Sequence, residues 1–166
     1  MTAANSGIDQ GQGRKPNKIK EHFVVTSLDG QLFHFTVEGS IVRHGARIPQ
    51  DPSVPSSTCM AWKGECILTG DHQGGLHVWD LKSRSSRTIP TSHSTPVREI
   101  AFAPGRAHTK AIVRFQDGID IWDLASGEAI TVSKDSKTVV KEGGSVVSVS
   151  WAASDRPVLL LADGTR

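Results

Sequence analysis

The side chains best equipped for chemistry are His93, the aspartates Asp29, Asp117 and Asp163, and the thiols of Cys59 and Cys66. A histidine beside a carboxylate can serve as a general base, and paired carboxylates can divide acid and base work. The spacing argues against both. Each aspartate precedes a glycine, giving Asp29-Gly30, Asp117-Gly118 and Asp163-Gly164, and the pairs lie 88 and 46 residues apart. Asp-Gly between alternating apolar runs is a tight-turn signal, and the Asp side chain there bonds its own backbone. Gly70-Asp71-His72-Gln73-Gly74-Gly75 is glycine-rich but lacks the Gly-Lys-Ser/Thr ending of a phosphate loop, so it reads as a hairpin turn. Cys59 and Cys66 have six residues between them and no ligand cluster nearby. A tetrahedral metal site needs about four ligands. Buried free thiols in a reducing compartment are expected. No nucleophile–base pair, metal cluster or cofactor cradle emerges. The chain reads as non-enzymatic, without a cofactor or a small-molecule substrate.

The elements that carry these residues keep a regular beat. Gly75-Leu76-His77-Val78-Trp79-Asp80-Leu81 and Gly118-Ile119-Asp120-Ile121-Trp122-Asp123-Leu124 are alternating runs closed by Trp-Asp, 43 residues apart. Turn glycines Gly30, Gly74, Gly118 and Gly164 recur at intervals of 44, 44 and 46. Runs ending in Trp62, Phe102 and Trp151 precede a turn glycine by 12 to 16 residues. This is the signature of WD repeats, the four-stranded blades of a β-propeller.

The fold class is therefore all-β: WD40-type blades, about three and a half repeats of an incomplete propeller. Innermost strands are predicted at Cys59–Trp62, Glu99–Phe102 and Val149–Trp151. Second strands follow at Phe23–Thr26, Cys66–Thr69, Ala111–Phe115 and Val158–Leu161. Third strands fall at Leu32–Val37, Leu76–Leu81 and Ile119–Leu124. Outer strands lie near Val42–Ile48, Arg87–Pro90 and Ala129–Ser133. Blades span about 21–52, 55–92 and 93–134, with a truncated one at 144–166. The repeats are divergent. His93, Asp117 and Trp122 supply most of the polar network expected of a blade, but Val113 or Arg114 stands where a Ser or Thr belongs. The preceding blade keeps Thr69 and Trp79, yet Gln73 replaces its turn aspartate and no histidine opens it. Phe35 takes the place of tryptophan in the first blade. Aromatic packing is thus expected to hold the blades more than polar bonds.

Net charge is +2 from 19 basic and 17 acidic residues, too balanced to imply a nucleic-acid partner. Arg14, Lys15, Lys18 and Lys20 lie in a polar stretch, residues 1–20, that reads as a disordered tail or linker. Its basic character leaves a chromatin or nucleic-acid reader as the alternative function. No apolar run reaches the roughly 18–20 residues of a membrane span, and a cytosolic or nuclear location is expected. Lys82-Ser83-Arg84-Ser85-Ser86-Arg87 reads as a polar inter-blade loop, with phosphorylation beside the arginines as the alternative.

Longer strings narrow the reading. Glu21-His22-Phe23, Asp29-Gly30-Gln31, Thr36-Val37-Glu38-Gly39, Ala46-Arg47-Ile48-Pro49, Ala61-Trp62-Lys63-Gly64, Trp79-Asp80-Leu81-Lys82 and Phe102-Ala103-Pro104-Gly105 resemble the WD repeat-containing protein 11 family, in the late part of its second propeller. The resemblance covers about residues 20 to 166. It implies a large scaffold without enzymatic activity, with vesicle-tethering complex subunits as protein partners. It also implies vesicle capture at the trans-Golgi network, cytoplasmic vesicles and the cilium base as settings, and links to ciliogenesis, Hedgehog signalling and a homeodomain transcription factor. No partner-binding residue carries over. Propellers have about 4–8 blades, so a fragment is expected, with an unpaired strand edge and an open blade face.

Overall fold

The computed structural model describes residues 19–48, 55–105, 109–130, 146–153 and 155–162. Every regular element among them is a strand, and the strands form four antiparallel sheets. The first sheet holds β1 (Lys20–Thr26), β2 (Leu32–Glu38) and β3 (Ile41–Ile48) in sequence order. The second holds β4 (Ser57–Lys63), β5 (Cys66–Asp71), β6 (Leu76–Asp80) and β7 (Ser85–Ile89). The third repeats that order with β8 (Val97–Phe102), β9 (Lys110–Phe115), β10 (Ile119–Asp123) and β11 (Glu128–Ile130). The last is the β12 (Val146–Ala153) and β13 (Arg156–Leu161) hairpin.

Side-chain alternation builds one core layer at each junction between sheets. Leu32 and Ile48 of the first sheet meet Ile67 and Trp79 of the second. The opposite face of the second sheet, with Leu68, Leu76, Val78 and Ile89, meets Val97, Ile100, Val113, Phe115 and Trp122 of the third. Ile112, Ile119 and Ile121 then turn the other way, onto Val149 of the last hairpin. The two middle sheets are covered on both faces, which is why β5 and β9 are buried along nearly their whole length rather than at alternate positions. At about 25 cal/mol per Å² of apolar surface, these layers are the main stabilising term.

The sheets approach closely near their inner strands. A Cβ on Gly70 of β5 would lie 2.4 Å from Cβ of Val97 on β8, so only glycine fits there. Thr58 Oγ1 hydrogen-bonds to both Gly70 O (3.1 Å) and Val97 O (2.7 Å) at the same place. Further polar ties cross the junctions. Arg87 Nη2 donates to Leu124 O at 2.6 Å, Lys63 Nζ donates to Ala103 O, and Trp151 Nε1 donates to Ala101 O at 2.9 Å. Glu99 accepts from Ser148 Oγ at 2.8 Å and Val149 N at 3.1 Å.

Strands lie where the alternation predicts them, with ends shifted by up to three residues. One assignment changes. Lys82 to Arg87 is not an inter-blade loop: Lys82, Ser83 and Arg84 turn between β6 and β7, and Ser85 already pairs with Asp80. The Asp80 carboxylate accepts the backbone N–H groups of Lys82 (2.8 Å) and Ser83 (3.2 Å), tightening that turn so that pairing resumes at once. Residues 1–18 of the expected tail, the outer-strand residues 131–133, and Asp163 and Gly164 lie outside the described residues, while Lys20 belongs to β1 rather than to a tail because it pairs with Glu38.

Candidate functional site

The histidines and carboxylates that could do acid–base work converge at the turns joining second and third strands. In the third sheet His93 is fixed on three sides. Its Nδ1 lies 2.8 Å from Asp117 Oδ1 and its Nε2 lies 3.2 Å from Asp120 Oδ2. Its ring stacks on Phe115 with centroids 3.9 Å apart. Thr95 Oγ1 also donates to Asp117. Burial raises the Asp117 pKa, but the Thr95 and His93 hydrogen bonds and the histidine's charge outweigh it and hold the carboxyl below the usual aspartate value. Gly118 lies under the imidazole, where a Cβ would come 2.9 Å from its Cε1.

The network does not reach Trp122. His93 spends its second nitrogen on Asp120, and the buried Trp122 Nε1 has no hydrogen-bond partner. The position that would supply an acceptor holds Val113, which is fully buried.

The second sheet solves the same problem with the expected Thr69 and Trp79, and adds Asp71 and His77, to which the repeat pattern assigns no role. Trp79 Nε1 donates to Thr69 Oγ1 at 3.0 Å. Gln73 does leave the turn without its usual aspartate, but Asp71, at the end of β5, serves instead. Its Oδ1 accepts from Gln73 N (2.7 Å) and Gly75 N (2.9 Å), and its Oδ2 lies 2.9 Å from His77 Nε2. The other His77 nitrogen, Nδ1, lies 3.2 Å from Thr88 Oγ1. Asp71 and His77 are both buried. A signal was present: an Asp two residues before Gln73 and four before Gly75, the spacing at which Asp caps a turn, and a His two residues before the tryptophan. Gly74 adopts φ +87°, and a Cβ there would strike His93 O at 2.6 Å. The turn of one sheet is thus held against the segment entering the next.

The remaining signature residues support local turns and junctions. Asp29 accepts from Ser27 Oγ and then Gln31 Nε2, which hold its carboxyl below the usual aspartate value; Gly30 follows at φ 77°. Asp80 and Asp123 close equivalent turns. Asp123 accepts from Thr109 Oγ1 at 2.7 Å and Ala125 N at 3.0 Å, and both aspartates are lowered chiefly by such bonds. Trp62 Nε1 donates to Gly64 O at 2.7 Å, and Phe102 packs against the core between the second and third sheets. Cys59 and Cys66 are free thiols whose pKa values burial raises above the ordinary cysteine value.

One concavity stands out. A cleft of about 860 Å³ opens between the second and third sheets. Its lining includes Val78, Phe102 and Leu124, with Lys63, Lys82 and Arg87 among the polar residues. No group of three or more metal-binding side chains occurs among the described residues, and no helix among them is long and apolar enough to cross a membrane.

No family model matches the chain. WD repeat-containing protein 11 of Homo sapiens is 43% identical over 145 residues, 87% of this chain and 12% of that protein. The protein of that name from Danio rerio is 42% identical over 161 residues, 97% of this chain and 12% of that protein. The chain therefore spans 12% of the length of these curated relatives. Among solved structures, the C-terminal WD40 domain of Sif2 superposes with a TM-score of 0.54 at 18% identity, covering 77% of this chain and 36% of that one. The chain is built of WD40-type propeller blades and, over 87% to 97% of its own length, is similar to WD repeat-containing protein 11, of which it spans 12%.

Proposed function

We propose that the chain is a non-catalytic scaffold for protein–protein interaction. One observation carries this reading: His93, Asp117, Asp120, Asp71 and His77 are committed to one another and to turn backbone. Their bonding capacity goes into fixing blade geometry. Rigid blades joined by such turns offer varied loops and clefts, which is what a binding platform requires. The cleft between the second and third sheets is the surface we assign to a partner segment, with Phe102 and Leu124 as apolar wall.

Resemblance to the relatives supports the finer reading. The partners would be subunits of a vesicle-tethering complex, the setting the trans-Golgi network, and roles in ciliogenesis and Hedgehog signalling would follow from the same scaffold. The test is capture of purified tethering-complex subunits on the immobilised chain, compared with a Lys82→Glu variant, whose change lies on the exposed rim of the cleft. Retention by the parent chain and at least about tenfold weaker retention by the variant is expected, since about 1.4 kcal/mol is tenfold. Equal retention would remove the cleft from the interface. No retention by either would remove these partners.

A further inference from the structure

An imidazole pair sits at the junction of the first and second sheets. His22 on β1 and His34 on β2 project from the same face of the first sheet, because His34 pairs with Val24, two residues from His22. His22 Nδ1 lies 2.9 Å from His34 Nε2, and the two rings are inclined by only 14°. Both meet the indole of Trp62 on β4 edge-on, at centroid distances of 6.4 and 5.8 Å. Trp62 is itself anchored to Gly64 O. On its far side His34 is backed by Gly45, where a Cβ would come 3.1 Å from Nδ1. The His34 ring is therefore confined between β3 and His22. Lys20 of β1 and Glu65 of the turn after β4 are the other charges acting on it. His44 of β3 lies elsewhere, against Phe33 and Phe35.

Two ring nitrogens 2.9 Å apart need one proton between them. Two neutral rings satisfy this, since one donates and the other accepts. One neutral and one protonated ring satisfy it as well, with a stronger, charge-assisted bond. Two protonated rings cannot: both nitrogens become donors facing each other, and two positive charges meet at hydrogen-bond distance. The second proton on the pair is therefore the disruptive one.

We propose that His22 and His34 form a proton-operated latch between β1 and β2, where the first sheet meets Trp62 of the second, closed while at most one ring is charged and released when both are. Burial, then the charges of His22 and Lys20, depress the His34 pKa below the ordinary value of 6.5, with Glu65 opposing them. A base depressed on folding binds fewer protons in the folded state than in the unfolded one. Its contribution is complete above the unfolded value, declines as pH falls through 6.5, and levels off below the folded value. The Leu32–Ile48–Ile67–Trp79 core lies deeper in the same junction, so release is local: β1 and β2 loosen while the other sheets stay closed.

The test is amide exchange of the full 166-residue chain at neutral and mildly acidic pH, corrected for intrinsic exchange rates. Protection of β1 and β2 is expected to fall at least about tenfold relative to β5 and β6 between about pH 7.5 and 5. His34→Gln keeps hydrogen-bonding capacity without titrating in this range and should lose that dependence. NMR titration of the imidazole protons of the parent chain supplies a second readout, independent of whether the variant folds. It should give linked transitions, with His34 below the ordinary value. Unchanged protection in the parent chain, an equal loss in His34→Gln, or two independent transitions at the ordinary value would each overturn the latch.

Discussion

Replacing Val113 with threonine should stabilise the chain, against the usual trend for a buried apolar residue. The two middle sheets provide an internal comparison. Thr69 lies two residues beyond Ile67, the cross-strand partner of Trp79, and Val113 lies two beyond Ala111, the partner of Trp122. Thr69 Oγ1 accepts from Trp79 Nε1 at 3.0 Å and sits 3.4 Å from His77 O. Trp122 Nε1 is equally buried and has no partner. Leaving a buried donor unpaired costs about 1–3 kcal/mol. Threonine nearly matches valine in volume, so packing is preserved. Burying its hydroxyl costs about 1–3 kcal/mol if unbonded, but here it can accept from Trp122 and donate to the Asp120 carbonyl, as Thr69 does at His77. The net gain should be about 0.5–1.5 kcal/mol, or roughly 1–6 °C in Tm at about 2–4 °C per kcal/mol for a domain of this size. Urea and thermal unfolding measure it, with an unchanged m-value required. The reciprocal Thr69→Val should destabilise by about 1–3 kcal/mol. A Val113→Thr chain less stable by more than about 1 kcal/mol, together with a neutral Thr69→Val, would refute the reasoning, because hydroxyl desolvation would then exceed what the indole bond returns.

Gly70→Ala should cost about 1–3 kcal/mol or more in urea unfolding, since its Cβ would overlap Val97 and force β5 away from β8. Asp117 has its pKa lowered in the folded state, so its contribution is present above the ordinary value of 3.8 and lost as pH falls through the folded value; Asp117→Asn should flatten stability against pH in that acid range, read by denaturation at stepped pH. Cys59 and Cys66, with burial-raised thiol pKa values, should react slowly with an alkylating reagent near neutral pH and rapidly once the chain is unfolded, followed by mass spectrometry.

The blades were legible because their signals are local. Alternation along Leu76–Asp80 and Ile119–Asp123, and Gly30, Gly74 and Gly118 at the turns, act within one hairpin, where chain geometry alone sets partners. The absent hydroxyl beside Trp122 was legible for the same reason, since a repeat offset maps Thr69 onto Val113. Asp71 and His77 escaped because the repeat pattern directs attention to Gln73 and to an opening histidine. A carboxylate shifted by two residues can cap the same turn from the strand end, and only the folded hairpin reveals the exchange. The Lys82–Arg87 stretch reads as a loop because polar composition marks solvent exposure, and an outer strand is exposed too.

From the sequence alone come the all-β architecture, the roughly 44-residue beat and the aromatic residues at each junction. All of these follow from periodicity and turn chemistry within a few residues. Tertiary structure decided which groups meet across junctions. Glu99 reaches Ser148 and Val149, Arg87 reaches the Leu124 carbonyl, His22 and His34 converge on Trp62, and His93 turns to Asp120 rather than to Trp122. Most of these partners lie tens of residues apart. Their meeting depends on how twisted sheets stack and on which face each strand presents, a geometry that no local pattern encodes.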